Sequence, residues 1–112
     1  MADATYLLGS NQYVVVELER TALSASYTPA NWIYALVLKR QGEVFDGDSE
    51  TWETATYELA TDSEGETHHT VKALLPDLVT VKGKYNPFVK MTSLSETETP
   101  TYVDAAGVVT VK

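Results

Sequence analysis

The stretch Asn31–Arg40, NWIYALVLKR, decides the fold. In an extended chain, successive side chains point to opposite faces. Trp32, Tyr34, Leu36 and Leu38 then share one face, and Ile33, Ala35 and Val37 share the other. Both faces are apolar, so the segment is predicted to be a strand buried on both sides. Working outward, Gln12–Arg20 (QYVVVELER) is rich in β-branched residues and alternates at its polar end. Thr51–Ala60 alternates too, setting Trp52, Thr54, Thr56 and Glu58 opposite Glu53, Ala55, Tyr57 and Leu59. Glu66–Leu75, Gly83–Ser93 and Gly107–Lys112 complete the set of predicted strands.

Turn residues separate these runs, in SYTPAN, RQGEVFDGDSE, TDSEGE, LLPDL and SETETP. They recur about every ten residues, the spacing of a sandwich or barrel of short antiparallel strands. No ten-residue window sustains a helical apolar period, and PDLVTVKG has room for one helical turn. Pro87 lies inside a strand-like run and cannot donate to a ladder, so it should face a sheet edge or a bulge. The polar segment Ser93–Tyr102 is predicted to be an exposed hairpin loop. Residues 1–10 are expected to form an N-terminal arm that is ordered only on assembly, ahead of a single domain over 11–112.

The chain has 112 residues, which suits one domain with a real core. It has no cysteine, so disulfides, a thiol nucleophile and thiolate metal sites are excluded. The formal net charge is -8. A phosphate-tracking surface needs clustered Lys and Arg, so neither nucleic acid nor an anionic membrane is an expected partner. The opening MADATYLLGS has no basic region and no long apolar run of the signal-peptide type. The acids are concentrated: Glu43, Asp46, Asp48, Glu50, Glu53, Glu58, Asp62, Glu64 and Glu66 fall in a segment without Lys or Arg. Such a run is either a solvated face or a patch that docks on a basic partner.

Chemistry has few footholds. His68 and His69 are the only histidines. On a strand they point to opposite faces, so they cannot ligate one metal together. A catalytic zinc needs three protein ligands, and carboxylates would have to supply the rest. No metal site and no other cofactor is therefore expected. One imidazole should face solvent and the other should pack half-buried. DGDSE (Asp46–Glu50) echoes the start of a calcium loop, but Thr51 and Tyr57 stand where the glycine and glutamate are needed. Nucleotide-binding glycine motifs and the G-x-S-x-G elbow are absent. The expectation is a protein that is not an enzyme. Trp32 should be core. Trp52, beside the acidic loop with Phe45 nearby, is a candidate for contact with a protein or a sugar.

Several segments together carry a resemblance. Tyr6 and Gly9 precede YVVVEL; then come TDSEGETHHTV, LLPDLVTVKGKY, FVKMT and the closing AAGVVTVK. This layout resembles small immunoglobulin-like β-sandwich virion proteins of tailed bacteriophages. In it, Gly83–Lys84–Tyr85 resembles the step at which a tyrosine buttresses a sandwich corner. The resemblance implies an all-β fold: a single antiparallel β-sandwich, immunoglobulin-like, of about seven strands with no disulfide. It implies a structural component of the virion, in the capsid-decoration, head–tail or tail class, assembled in the host cytoplasm. The partners would be other virion proteins, bound in many symmetric copies. The contact residues expected are Tyr6, Leu7, Phe45, Asp46, Asp48 and Trp52. The alternative is a carbohydrate-binding or adhesive β-sandwich module.

Overall fold

The strand predicted from NWIYALVLKR forms, and most of the sheet is built around it. A computed structural model describes residues 4–18, 32–47, 50–94, 101–104 and 107–112. Its strands are β1 (Ala4–Tyr6), β2 (Tyr13–Glu17), β3 (Trp32–Arg40), β4 (Glu53–Thr61), β5 (Thr67–Leu74), β6 (Gly83–Ser93), β7 (Thr101–Asp104) and β8 (Val109–Val111). A single helical turn, α1 (Leu75–Leu78), follows β5, with Pro76 at its start. All of β3 pairs antiparallel with β6, from Trp32 opposite Ser93 to Arg40 opposite Tyr85.

The strands form one mixed sheet in the order β1-β8-β6-β3-β4-β5-β2, with β7 also on β6. β4 is its corner. Residues 53–55 pair with β3, and residues 56–61 pair with β5. The sheet thereby turns over on itself, as strands do when they pass between two packed layers. The end strands come together again: the Val15 amide donates to the Tyr6 hydroxyl at 3.4 Å. The result is nearly a barrel around one core. Val14, Val16 and Leu18 from the β2 side meet Leu36, Val71, Leu75 and Val89, all fully buried. Each such side chain contributes about 1.5–3 kcal/mol by leaving water.

Three expectations need correction. The arrangement is not wholly antiparallel, because β1 runs parallel to β8. Parallel neighbours need a long connection between them, and here almost the whole chain supplies it. Second, residues 4–10 are not simply an arm. Ala4–Tyr6 is a strand, tied by Ala4 N–H to Val108 O (3.1 Å), Lys112 N–H to Tyr6 O (2.9 Å) and Leu8 N–H to Lys112 O (2.8 Å). Burying the backbone of β8 requires partners along its free edge, and β1 provides them. Third, Thr101 and Tyr102 belong to β7 rather than to a loop. Ser93 ends β6, and residues 95–100 of the expected loop lie outside the described residues.

Pro87 is buried in β6 and stands opposite Leu38. On the other edge of β6, β8 pairs with 83–85 and β7 with 88–91. Pro87 therefore falls in a gap of that ladder, where a missing N–H is tolerated. Two-sided burial of β3 holds for part of its length. Val37 is buried on the outer face, whereas Ile33, on the same face, is 55% exposed.

At the start of β6, the buried Tyr85 hydroxyl donates to the Val81 carbonyl at 2.5 Å. This bond ties the segment after α1 to the sheet. Tyr85→Phe keeps the ring and deletes the bond, so it should lower unfolding free energy by about 1 kcal/mol. In urea the midpoint should fall at an unchanged slope.

Candidate functional site

The β3–β4 loop folds over the outer face of β3 and β6 and is held there by aromatic rings. Phe45 stacks on Phe88 with ring centres 4.1 Å apart, and meets Trp52 (5.9 Å) and Tyr102 (6.0 Å) edge-on. Trp52 and Tyr102 stack at 5.8 Å. Offset-stacked and edge-to-face pairs are the favoured aromatic geometries. The Trp52 indole N–H donates to the Gly47 carbonyl at 3.0 Å, and the Lys90 ammonium lies 5.3 Å from the indole ring centre. Gly47 lies close against the Tyr102 ring: a Cβ there would lie 2.6 Å from it, so the ring would have to shift.

The loop is also fastened by charge. Glu50 accepts from the Asp46 amide (3.0 Å) and pairs with Lys39 (3.2 Å), and its side chain is only 8% exposed. One member of the acidic run is thus a structural fastener, while Glu43 and Asp46 face solvent. Between the fixed points Val44 is 85% exposed. Beside Trp52, a groove of about 350 Å³ runs along Ile33, Ala35, Thr54, Lys90 and Thr92.

The expected contact residues separate into two groups. Phe45 and Trp52 are half-buried in the aromatic cluster, with exposed Asp46 next to them. Asp48 lies outside the described residues. Tyr6 packs against the core, and Leu7 beside it is 65% exposed at the junction of β1 and β2. Phe88, Lys90 and Tyr102 were not singled out from sequence. They reach the cluster because Lys90 pairs with Tyr102 across β6 and β7, and nothing local to either signals this.

The two histidines separate as strand alternation requires. His69 turns inward and shares a hydrogen bond with the Tyr57 hydroxyl, whose pKa burial pushes up. Tyr57 in turn stacks on Tyr34 (5.5 Å). His68 turns outward between two carboxylates: Nδ1 lies 2.7 Å from Glu17 Oε1, and Nε2 lies 2.9 Å from Asp62 Oδ2. Asp62 opens the tight β4–β5 connection. Its Oδ1 accepts the amides of Glu64 (2.9 Å) and Glu66 (3.0 Å). Gly65 N–H returns to Asp62 O at 3.1 Å, with Gly65 at φ +84°, where an L side chain would be strained. This is a three-residue hairpin loop ending in a glycine bulge. It brings Asp62, Glu66 and His68 together, with one donor atom of each within 4.8 Å of the others.

No protein family, no curated protein and no solved structure matches the chain. What the site can do therefore rests on its own geometry.

The hydrogen bonds to Asp62 and then Glu17 raise the His68 pKa, and the bond from His68 lowers that of Asp62. A raised histidine pKa adds stability that is full below about pH 6.5 and disappears as pH climbs through the folded value. A lowered aspartate pKa adds stability that is full above about pH 3.9 and disappears as pH falls through the folded value. This bridge should therefore be strongest in mild acid. An NMR titration of the His68 ring should give a pKa above the usual histidine value, and Asp62→Asn should bring it down.

In the aromatic cluster, Gly47→Ala should push Tyr102 off Trp52. Near-ultraviolet circular dichroism should change while the far-ultraviolet spectrum stays that of the wild type.

Proposed function

We propose that the chain is a non-enzymatic structural component of a bacteriophage virion that binds other virion proteins in many copies. The observation that carries this reading is the β3–β4 loop. Val44 stands out into solvent between Glu43 and Asp46, while its neighbour Phe45 is locked in a four-ring cluster. A loop already held in one conformation loses little entropy on binding. An exposed apolar residue flanked by acids suits a protein surface with a small pocket and a basic rim. Repetition around a symmetric particle would turn a modest affinity per copy into firm attachment. Leu7, exposed just after β1, would be a second contact.

The finer fold assignment, an immunoglobulin-like sandwich, belongs to the same proposal. It is supported by the Tyr85–Val81 hydrogen bond, which has the form of a tyrosine corner, and by the sheet turning over at β4. The partners proposed are capsid or tail proteins, not nucleic acid or membrane, and the location is the virion. The test is co-sedimentation of the purified protein with undecorated particles. Binding should weaken with added salt, and Val44→Asp should abolish it with the circular dichroism unchanged. Failure to sediment with capsid, connector or tail fractions would sink the reading.

A carbohydrate-binding or adhesive module is the second reading. It is favoured by the groove beside Trp52, where an indole, an ammonium and the Thr54 and Thr92 side chains converge. Glycan-array signals lost in Trp52→Ala but kept in Val44→Asp would select it.

A further inference from the structure

The cluster around His68 is separate from both contact regions. It lies on the outer face of β2 and β5, beside the β4–β5 turn. Glu17, Asp62 and Glu66 are three carboxylates around His68.

We propose that Asp62, Glu66 and His68 bind a divalent transition-metal ion, zinc foremost, with Glu17 as the residue that positions His68. One imidazole nitrogen and two carboxylate oxygens make a donor set that suits zinc, at bond lengths of about 2.0–2.2 Å. Ligand atoms on a tetrahedral ion at those lengths stand roughly 3.4 Å apart. The three donors already lie within 4.8 Å of one another, so rotamer adjustment closes the site. The nitrogen ligand selects against calcium and magnesium, which prefer oxygen alone.

The supporting contacts come from different parts of the chain. Glu17 on β2 accepts from Nδ1, which leaves Nε2 to face Asp62 and the metal. A histidine that ligates through one nitrogen commonly gives its other N–H to a carboxylate in this way. The Glu64 and Glu66 amides hold Asp62 Oδ1, so Oδ2 is presented to the ion. Glu66 ends the turn just before β5 and His68 is the second residue of β5, and their donor atoms lie within 4.8 Å of each other. On metal binding, Nε2 gives up its proton to solvent and donates its lone pair to the ion. With three protein ligands, a fourth position remains for water or for a side chain of a bound partner.

The test uses the whole chain, titrated calorimetrically with zinc chloride, with cobalt(II) as a spectroscopic probe. The expected result is one zinc per chain and visible cobalt bands of tetrahedral strength. His68→Gln, Asp62→Asn and Glu66→Gln should each weaken zinc binding by about tenfold or more, while His69→Gln leaves it unchanged. Glu17→Gln should cost about 10–100-fold. With zinc bound, nitrogen NMR should show His68 carrying its proton on Nδ1, and Glu17→Gln should erase that preference, which loss of a merely structural contact would not do. Glu66 is exposed on the turn, so its variant tests the site even if a His68 variant folds poorly. Absence of zinc binding overturns the proposal, and so does binding that His68→Gln and Glu66→Gln leave intact, the mark of an adventitious ion on other carboxylates.

Discussion

The antiparallel pairing of β3 with β6 is the constraint on which the other elements depend. It runs the full length of β3, and it sets Tyr34, Leu36 and Leu38 against Met91, Val89 and Pro87 on one face. Those residues are buried, and they form the floor onto which β2, β5 and α1 deliver Val14, Val16, Val71 and Leu75. The same pairing sets Val37 beside Phe88 on the opposite face. A sheet exposed there would leave apolar surface in water, and the β3–β4 loop covers it with Phe45. One ladder therefore creates both the main core and the small aromatic cluster that holds the loop.

Closure is a second consequence. A sheet that bends at β4 brings its two ends near each other, and its end strands carry backbone groups that need partners. β1 satisfies one edge of β8, and the Tyr6 hydroxyl reaches across to β2. Glu17, at the end of β2, is then held where His68 on β5 can meet it. The charged group on the outer face thus inherits its geometry from the register of β2 on β5. A one-residue slip of that register would turn Glu17 inward and Val16 outward. Nearby, Lys72 on the same face pairs with Glu58 (2.8 Å) and lies over the Tyr13 ring, so the outer surface of this half of the sheet is laced by polar contacts.

The proposed binding loop and the proposed metal group illustrate different ways of fixing a side chain. Phe45 and Trp52 are positioned by area and shape, through rings contributed by β6 and β7. Asp62 and His68 are positioned by directed hydrogen bonds within a tight turn and across to β2. Ring packing excludes water and stiffens the loop. Directed bonds on a wetter surface leave lone pairs that a cation can use.

Local pattern was enough for much of this architecture. Period-two alternation and β-branched runs placed β2, β3, β4, β5, β6 and β8 within a few residues, because each strand's pleat writes its faces into the sequence. Alternation also separated His68 from His69 correctly, since neighbouring strand residues must diverge. Ala4–Tyr6 and Thr101–Asp104 escaped, because they become strands only where β8 and β6 offer them open edges. The parallel β1–β8 pair, the bend at β4, the stacking of Phe45 on Phe88 and the meeting of Glu17 with His68 join residues far apart along the chain. Which distant strands become neighbours is settled by burying one core at lowest cost, and that is a property of the whole packed chain rather than of any segment of it.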